Sequence, residues 1–180
     1  RCEAVARRQR ETALRQAWTD LFVAAARVRT YALGKLQQLA PEETASLRGA
    51  AETAIAGLAQ APKGARDLLE RQLTRTDDGA IDGDLAANEA ALRLLCVRAE
   101  LLADLPTPEE DLELRREYQM RRLVESMGRG ERTGAADLDD LALEWLAVGP
   151  AEPAVHDVLM ERFKRCGAGR TEFVRRDQNL

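Results

Sequence analysis

The chain has 180 residues, of which 45% are hydrophobic and 32% charged, with a formal net charge of −4. That is too apolar for a disordered chain, and long enough for one domain or two packed lobes that bury roughly 70% of the unfolded surface. No window approaches the roughly 18 consecutive apolar residues of a membrane span, and charges spread through residues 1–15 leave no signal-peptide core there.

Only 4% of residues are aromatic, so Leu and Ala must fill the core, which favours closely packed helices over a sheet. Cys2, Cys96 and Cys166 are odd in number and scattered, unlike a disulfide framework. Cys96 and Cys166 lie among apolar helical positions and are expected to be small core residues in a cytoplasmic protein. The first residue is Arg1 rather than Met, which suggests a fragment of something longer. Charge is uneven: residues 1–39 hold eight basic and three acidic groups, a balance of +5, leaving −9 for the rest. Such asymmetry marks either a basic arm for an acidic partner or a basic helix laid against acidic ones. The mixed surface favours the second.

The first predicted helix spans about 2–39. Leu14, Trp18, Leu21, Ala25, Val28, Ala32, Lys35 and Leu39 alternate in steps of four and three, a coiled-coil-like seam that Phe22 and Leu36 widen. Gly34 is expected to loosen its final turns. Pro41, Glu42 and Glu43 open a second helix with acidic groups where the helix dipole favours them. Its buried face is predicted to be Leu47, Ala51, Ala54, Ile55 and Leu58. Pro62 and Gly64 punctuate the chain before a short helix over 65–73, and the turn-rich stretch 76–83 marks the main subdivision.

Asp84 is placed to cap a helix over 84–104, built on Leu85, Leu92, Leu95, Cys96, Ala99 and Leu102. The joint Thr107-Pro108-Glu109-Glu110 then reads as a capping box, with Thr107 as N-cap, Pro108 at the first helical position and Glu110 reaching back. Loss of that cap predicts a cost of about 1 kcal/mol for Thr107→Ala. A helix over 109–127 follows, continued by Leu112, Tyr118, Leu123, Val124 and Met127. The short connection forces an antiparallel hairpin. After a polar linker over 128–134, a helix over 137–148 uses Leu138, Leu141, Ala142, Trp145 and Leu146. Gly149-Pro150-Ala151-Glu152-Pro153 stops one helix and starts the last, over 154–166, which is predicted to bury Val155, Val158, Leu159 and Phe163. The fold class is therefore all-α: antiparallel helical hairpins in an elongated bundle. Its parts are an N-terminal segment 1–83, a C-terminal bundle 84–168 and a tail 169–180.

Motifs that carry chemistry are scarce. The stretch from Asp78 to Glu89 overlays part of an EF-hand loop, with Asp at positions 1 and 5, Gly at 6 and Glu at 12. Ala80 and Ala86 fall at positions 3 and 9, where oxygen ligands belong, so an acidic interhelical loop explains the same letters. His156 is the only histidine, which removes any two-histidine metal site, and neither Ser46 nor Ser126 sits in a nucleophile elbow. It is expected at the surface. Gly128-Arg129-Gly130 has no flanking strand and is a linker, not a phosphate loop. Arg115, Arg116, Arg121 and Arg122 cluster around Tyr118, an arrangement able to hold phosphates and stacked bases. Glutamates three or four residues away favour intrahelical ion pairs instead. Trp18 and Trp145 sit in apolar stripes and are expected to anchor the core.

The run Leu94-Leu95-Cys96-Val97-Arg98-Ala99-Glu100-Leu101-Leu102-Ala103, then Pro106-Thr107-Pro108-Glu109-Glu110-Asp111, then Leu114-Arg115-Arg116-Glu117-Tyr118-Gln119-Met120 resembles the C-terminal region of large bacterial helical-repeat proteins. Their family is the domain of unknown function numbered three-four-nine. Glu144-Trp145-Leu146-Ala147-Val148-Gly149-Pro150 and the helix ending Arg162-Phe163 fit the same region, so the likeness covers roughly 90–166. It implies a cytoplasmic helical scaffold at the end of a longer chain, and no catalytic residue to carry over. The expectation is a non-catalytic scaffold or protein-interaction module without cofactor, metal or membrane contact, joined to a protein partner or to itself. The alternative is a nucleic-acid-binding module. Candidate contacts for either are Arg7, Arg8, Arg10, Arg15, Arg115 and Arg122.

Overall fold

The computed structural model describes residues 2–58, 61, 64–129 and 138–177, and the side chains of all of these but 2, 11, 14, 128, 129 and 168–177. Among them every regular element is helical: α1 (Cys2–Leu36), α2 (Pro41–Ala56), α3 (Ala65–Asp77), α4 (Leu85–Leu102), a 3₁₀ turn (Glu109–Asp111), α5 (Leu112–Arg129), α6 (Leu138–Ala147) and α7 (Pro153–Asp177). The protein is all-α. It divides into two compact units, Arg1–Leu85 with Gly149–Ala151, and Ala86–Val148 with Glu152–Leu180.

In the first unit α1 packs against α2 and α3, and α2 against α3. Leu21, Ala24, Ala25, Val28, Tyr31 and Ala32 of α1 are buried, as helical spacing requires of one face. The seam residue Trp18 is half-buried, with its ring 6.1 Å from that of Phe22. Residues 3–16 of α1 expose every described side chain except the half-buried Ala6. α1 stops at Leu36 rather than 39 because Gln38 turns left-handed (φ 55°) and the Leu39 amide donates to the Gly34 carbonyl at 3.1 Å. Gly34 does not loosen the helix. A Cβ there would lie 2.9 Å from Leu47 Cδ1 of α2 and 3.1 Å from Leu39 Cδ1, so the bare backbone makes room for both leucines.

α3 runs four residues beyond its predicted end at 73, to Asp77, and the extra turn matters. Asp77 accepts from Tyr31 Oη at 2.7 Å and from Arg48 Nε and Nη2 at 3.0 and 2.9 Å, and its carbonyl accepts from Lys35 Nζ at 3.4 Å. One residue at the foot of α3 thus binds α1 and α2 together. Gly79 (φ 76°) then closes the turn as the Ala80 amide donates to the Arg75 carbonyl at 2.8 Å.

In the second unit the core comes from Leu92, Leu95, Cys96, Val97 and Ala99 of α4, Leu141, Trp145 and Leu146 of α6, and Leu159, Phe163 and Cys166 of α7. Trp145 stacks on Phe163 with ring centroids 4.7 Å apart. His156, expected at the surface, is buried with its ring 6.2 Å from that of Trp145. Val158, expected inside, is 65% exposed. α7 continues to Asp177, through positions read as a tail. The predicted linker over 128–134 lies partly in α5, and its residues 130–134 fall outside the described residues.

Hydrogen bonds from Arg48, opposed in part by burial, hold the Asp77 carboxyl below its ordinary value. An unfolded aspartate takes up its proton near pH 4, so the stability Asp77 contributes is present above that pH and lost as pH falls through its lower folded value. Asp77→Asn is expected to lower unfolding stability at pH 7 by about 1 kcal/mol. It should also flatten the decline of stability below about pH 4 in urea titrations. A variant with an unaltered acid limb would contradict this assignment.

Candidate functional site

The second unit is organised around a charge. Arg162 of α7 is 6% exposed, and Glu100 of α4 and Asp111 of the 3₁₀ turn are 3% and 5% exposed. Its guanidinium grips Glu100 with two donors, Nε to Oε1 and Nη2 to Oε2 at 3.0 Å, and gives Nη1 to Asp111 Oδ2. Burial alone would push Arg162 down; hydrogen bonds to Glu100 and Asp111 outweigh it and hold the guanidinium charged, above its ordinary value. Arg93 of α4 reaches the other Asp111 oxygen at 3.5 Å and pairs with Glu89 at 3.0 Å. Every carboxylate oxygen of Glu100 and Asp111 therefore meets a donor.

Thr107 belongs to this cluster and not to a helix cap. Its hydroxyl donates to Glu100 Oε2 at 2.7 Å and accepts from Arg115 Nη1 at 2.8 Å, while the same Arg115 nitrogen donates to the Leu105 carbonyl at 2.9 Å. The cap position falls to Pro108, which has no side-chain cap bond, and the first turn is 3₁₀. The capping-box prediction fails because a buried carboxylate and an arginine compete for the threonine hydroxyl and win it. Upstream, Asp104 (φ 54°) ends α4 as the Leu105 amide donates to the Glu100 carbonyl at 2.8 Å. α4, the joint, the start of α5 and α7 are thereby locked to one another.

This lock sets where α5 points. Leu114, Arg115 and Tyr118 face inward and are half-buried, and the Tyr118 ring lies 6.0 Å from the guanidinium carbons of Arg98 and Arg122. Beyond them every residue from 119 to 127 is exposed. Met120, Leu123, Val124 and Met127 are 60%, 53%, 64% and 79% exposed, and their spacing puts them on one stripe. The sequence placed Leu123, Val124 and Met127 in a buried pattern; the periodicity is real, but no described residue covers them.

The predicted contact residues fall in both units. Arg7, Arg8, Arg10 and Arg15 are exposed on the first half of α1. Arg122 is exposed beside Tyr118, whereas Arg115 is committed to Thr107 and Leu105. Within α5 the ion pair Arg116–Glu113 at 3.4 Å is as intrahelical spacing suggests.

Burial pushes the Cys96 thiol up to about 12 and the Cys166 thiol up to about 11, and both are buried. Thiolate, the reactive form, is therefore strongly disfavoured at neutral pH. Cys96 donates to the Leu159 carbonyl at 3.3 Å and behaves as a core residue. Among the described residues no three His, Cys, Asp or Glu side chains gather as metal ligands do, and no helix is long and apolar enough to cross a membrane.

No protein-family model matches this chain, and neither a curated protein nor a solved structure matches it.

Asp is as good an N-cap as Thr, so Thr107→Asp separates the two roles of this position. In the observed cluster it sets a third carboxylate against buried Glu100 and removes the donor, with an expected cost of about 2 kcal/mol in urea unfolding, while Thr107→Ser stays near the parent. An unchanged or raised stability of Thr107→Asp would restore the capping role.

Proposed function

We propose that this chain is a non-catalytic helical module for protein–protein contact, part of a scaffold, with the outer face of α5 as its contact surface. The observation that carries the reading is the exposed stripe of Met120, Leu123, Val124 and Met127 on a helix whose base is fixed by a buried ionic lock. An apolar stripe in water is unfavourable unless something covers it, and an i, i+3, i+4, i+7 set is the pattern by which a helix docks into a partner. Methionine at two of the four positions suits an adaptable contact. The carboxylates that lie deep in the unit are saturated by arginines, and the buried thiols are held protonated, which favours a structural over a catalytic role. The likeness of residues 90–166 to bacterial helical-repeat proteins points the same way and rests on the residues that carry it. A cytoplasmic setting goes with this reading.

A crosslinking pull-down with the 180-residue chain as bait tests it. Leu123→Glu with Met127→Glu is expected to reduce captured protein, this chain included, at least tenfold while leaving helicity and melting unchanged. Equal capture by parent and variant would remove α5 from the function.

A second reading, a nucleic-acid-binding module, draws on Arg7, Arg8, Arg10 and Arg15, all exposed on the first half of α1. It predicts a mobility shift with duplex DNA or RNA at low salt that fades steeply as salt rises and weakens with each Arg→Glu change. No shift at low salt would exclude it.

A further inference from the structure

We infer that Met120 and Met127 are a paired oxidation site, by which a peroxide-class oxidant turns the outer face of α5 from apolar to polar without unfolding the unit. That the change regulates binding rests on the interaction-module reading above; that the site is oxidised does not.

The sulfur atoms sort by access. Five sulfur-bearing side chains are described: Cys96, Cys166, Met120, Met127 and Met160. Both thiols are buried and held protonated, which keeps them from an oxidation whose first step is taken by thiolate. A thioether needs no deprotonation, so its reactivity follows the exposure of its sulfur. Met160 on α7 is half-buried, whereas Met120 and Met127 are among the most exposed large apolar side chains of the protein. Seven residues apart, they lie about two turns from one another on one face of α5. Leu123 and Val124 fill the middle of the stripe with hydrocarbon that peroxide leaves alone. Only its two ends carry an atom that changes.

The chemistry balances with peroxide as the one co-reactant. The thioether sulfur attacks a peroxide oxygen, a sulfur–oxygen bond forms and the O–O bond breaks. Sulfur gives up two electrons to become a sulfoxide. The departing hydroxide takes the proton of the transferred oxygen and leaves as water. A dithiol-dependent sulfoxide reductase reverses the step, releasing that oxygen as water while its two thiols close to a disulfide.

Placement makes this a change of surface. A sulfoxide in a core disrupts packing. Here every residue from 119 to 127 is exposed, and the base of α5 is held by the bonds of Arg115 to Thr107 and Leu105. Oxidation therefore sets two strong acceptors at the ends of an apolar stripe and leaves the fold beneath it alone. A partner seated on the stripe would shield both sulfurs, and two sulfoxides would oppose the seating, so contact and oxidation work against each other.

Hydrogen peroxide treatment of the 180-residue chain, followed by peptide mass spectrometry, is the test. Met120 and Met127 are expected to gain oxygen at least about fivefold faster than Met160, with unchanged circular dichroism and melting. On hydrophobic interaction chromatography the oxidised chain should elute earlier, and a sulfoxide reductase with a dithiol should restore the parent's retention. Met120→Leu with Met127→Leu should keep its retention through the same peroxide treatment. Oxidation of the pair no faster than that of Met160, retention indifferent to it, or an oxidised chain that melts earlier overturns the inference. Repeating the pull-down with oxidised chain tests the regulatory half: equal capture by parent and oxidised chain overturns it. A parent that captures nothing, with oxidation still selective, removes the interaction-module reading and leaves the oxidation site standing.

Discussion

The second unit depends on one buried cation. Removing a guanidinium from water is strongly unfavourable, and Arg162 tolerates it because Glu100 and Asp111 surround its donors with acceptors. The requirement is geometric as much as electrostatic. Glu100 sits on α4, Asp111 on the turn before α5 and Arg162 on α7, so the charges are satisfied only when all three elements are in register. An apolar interface tolerates a slip of one turn far better. The cluster therefore acts as a registration device, and Thr107 and Arg115 extend its reach into the hairpin joint and the first turns of α5. The exposed stripe beyond 119 owes its direction to that anchorage.

The first unit uses a related device at lower stakes. Asp77 gathers Tyr31, Arg48 and Lys35 from two helices at the end of a third, but its side chain is 31% exposed, so water shares the task. Apolar packing along α1 carries more of the load there. In both units a carboxylate at the end of an element, or one helical turn inside it, is clamped by an arginine from a neighbour. In both, helix ends close through left-handed residues, at Gln38, Gly79 and Asp104, whose turns return the chain without a glycine in two of three cases.

Much of the helical architecture was legible because period and punctuation are local signals. Pro41 marked the start of α2 to the residue, and the leucine and alanine spacing located α4 and α6 closely. What escaped was decided at long range. Thr107 reads as a cap because Glu110 stands three residues on, yet its partners are Glu100, seven residues back, and Arg115, and no spacing rule links Glu100 to Arg162, 62 residues away. His156 lies two residues into a helix start that looks solvent-facing, yet it is buried, with its ring 6.2 Å from that of Trp145 on another helix. Val158 and the α5 stripe share one lesson: periodicity reveals that a helix has an apolar face, not what covers it. The arginines of the first half of α1 are exposed, whereas Arg115 is spent on the joint.

The most direct measurement is a denaturation cycle on the lock itself, comparing Arg162→Met, the pair Glu100→Gln with Asp111→Asn, and the triple combination. If Arg162 is the registering charge, Arg162→Met alone loses about 3–5 kcal/mol because buried Glu100 and Asp111 lose their shared counter-ion, leaving Glu100 the Thr107 hydroxyl and Asp111 the more distant Arg93, and the triple variant recovers most of that loss. A single-variant loss below about 1 kcal/mol, or losses that simply add in the triple variant, would mean that the second unit is held by apolar packing and that the buried charges do not set its register.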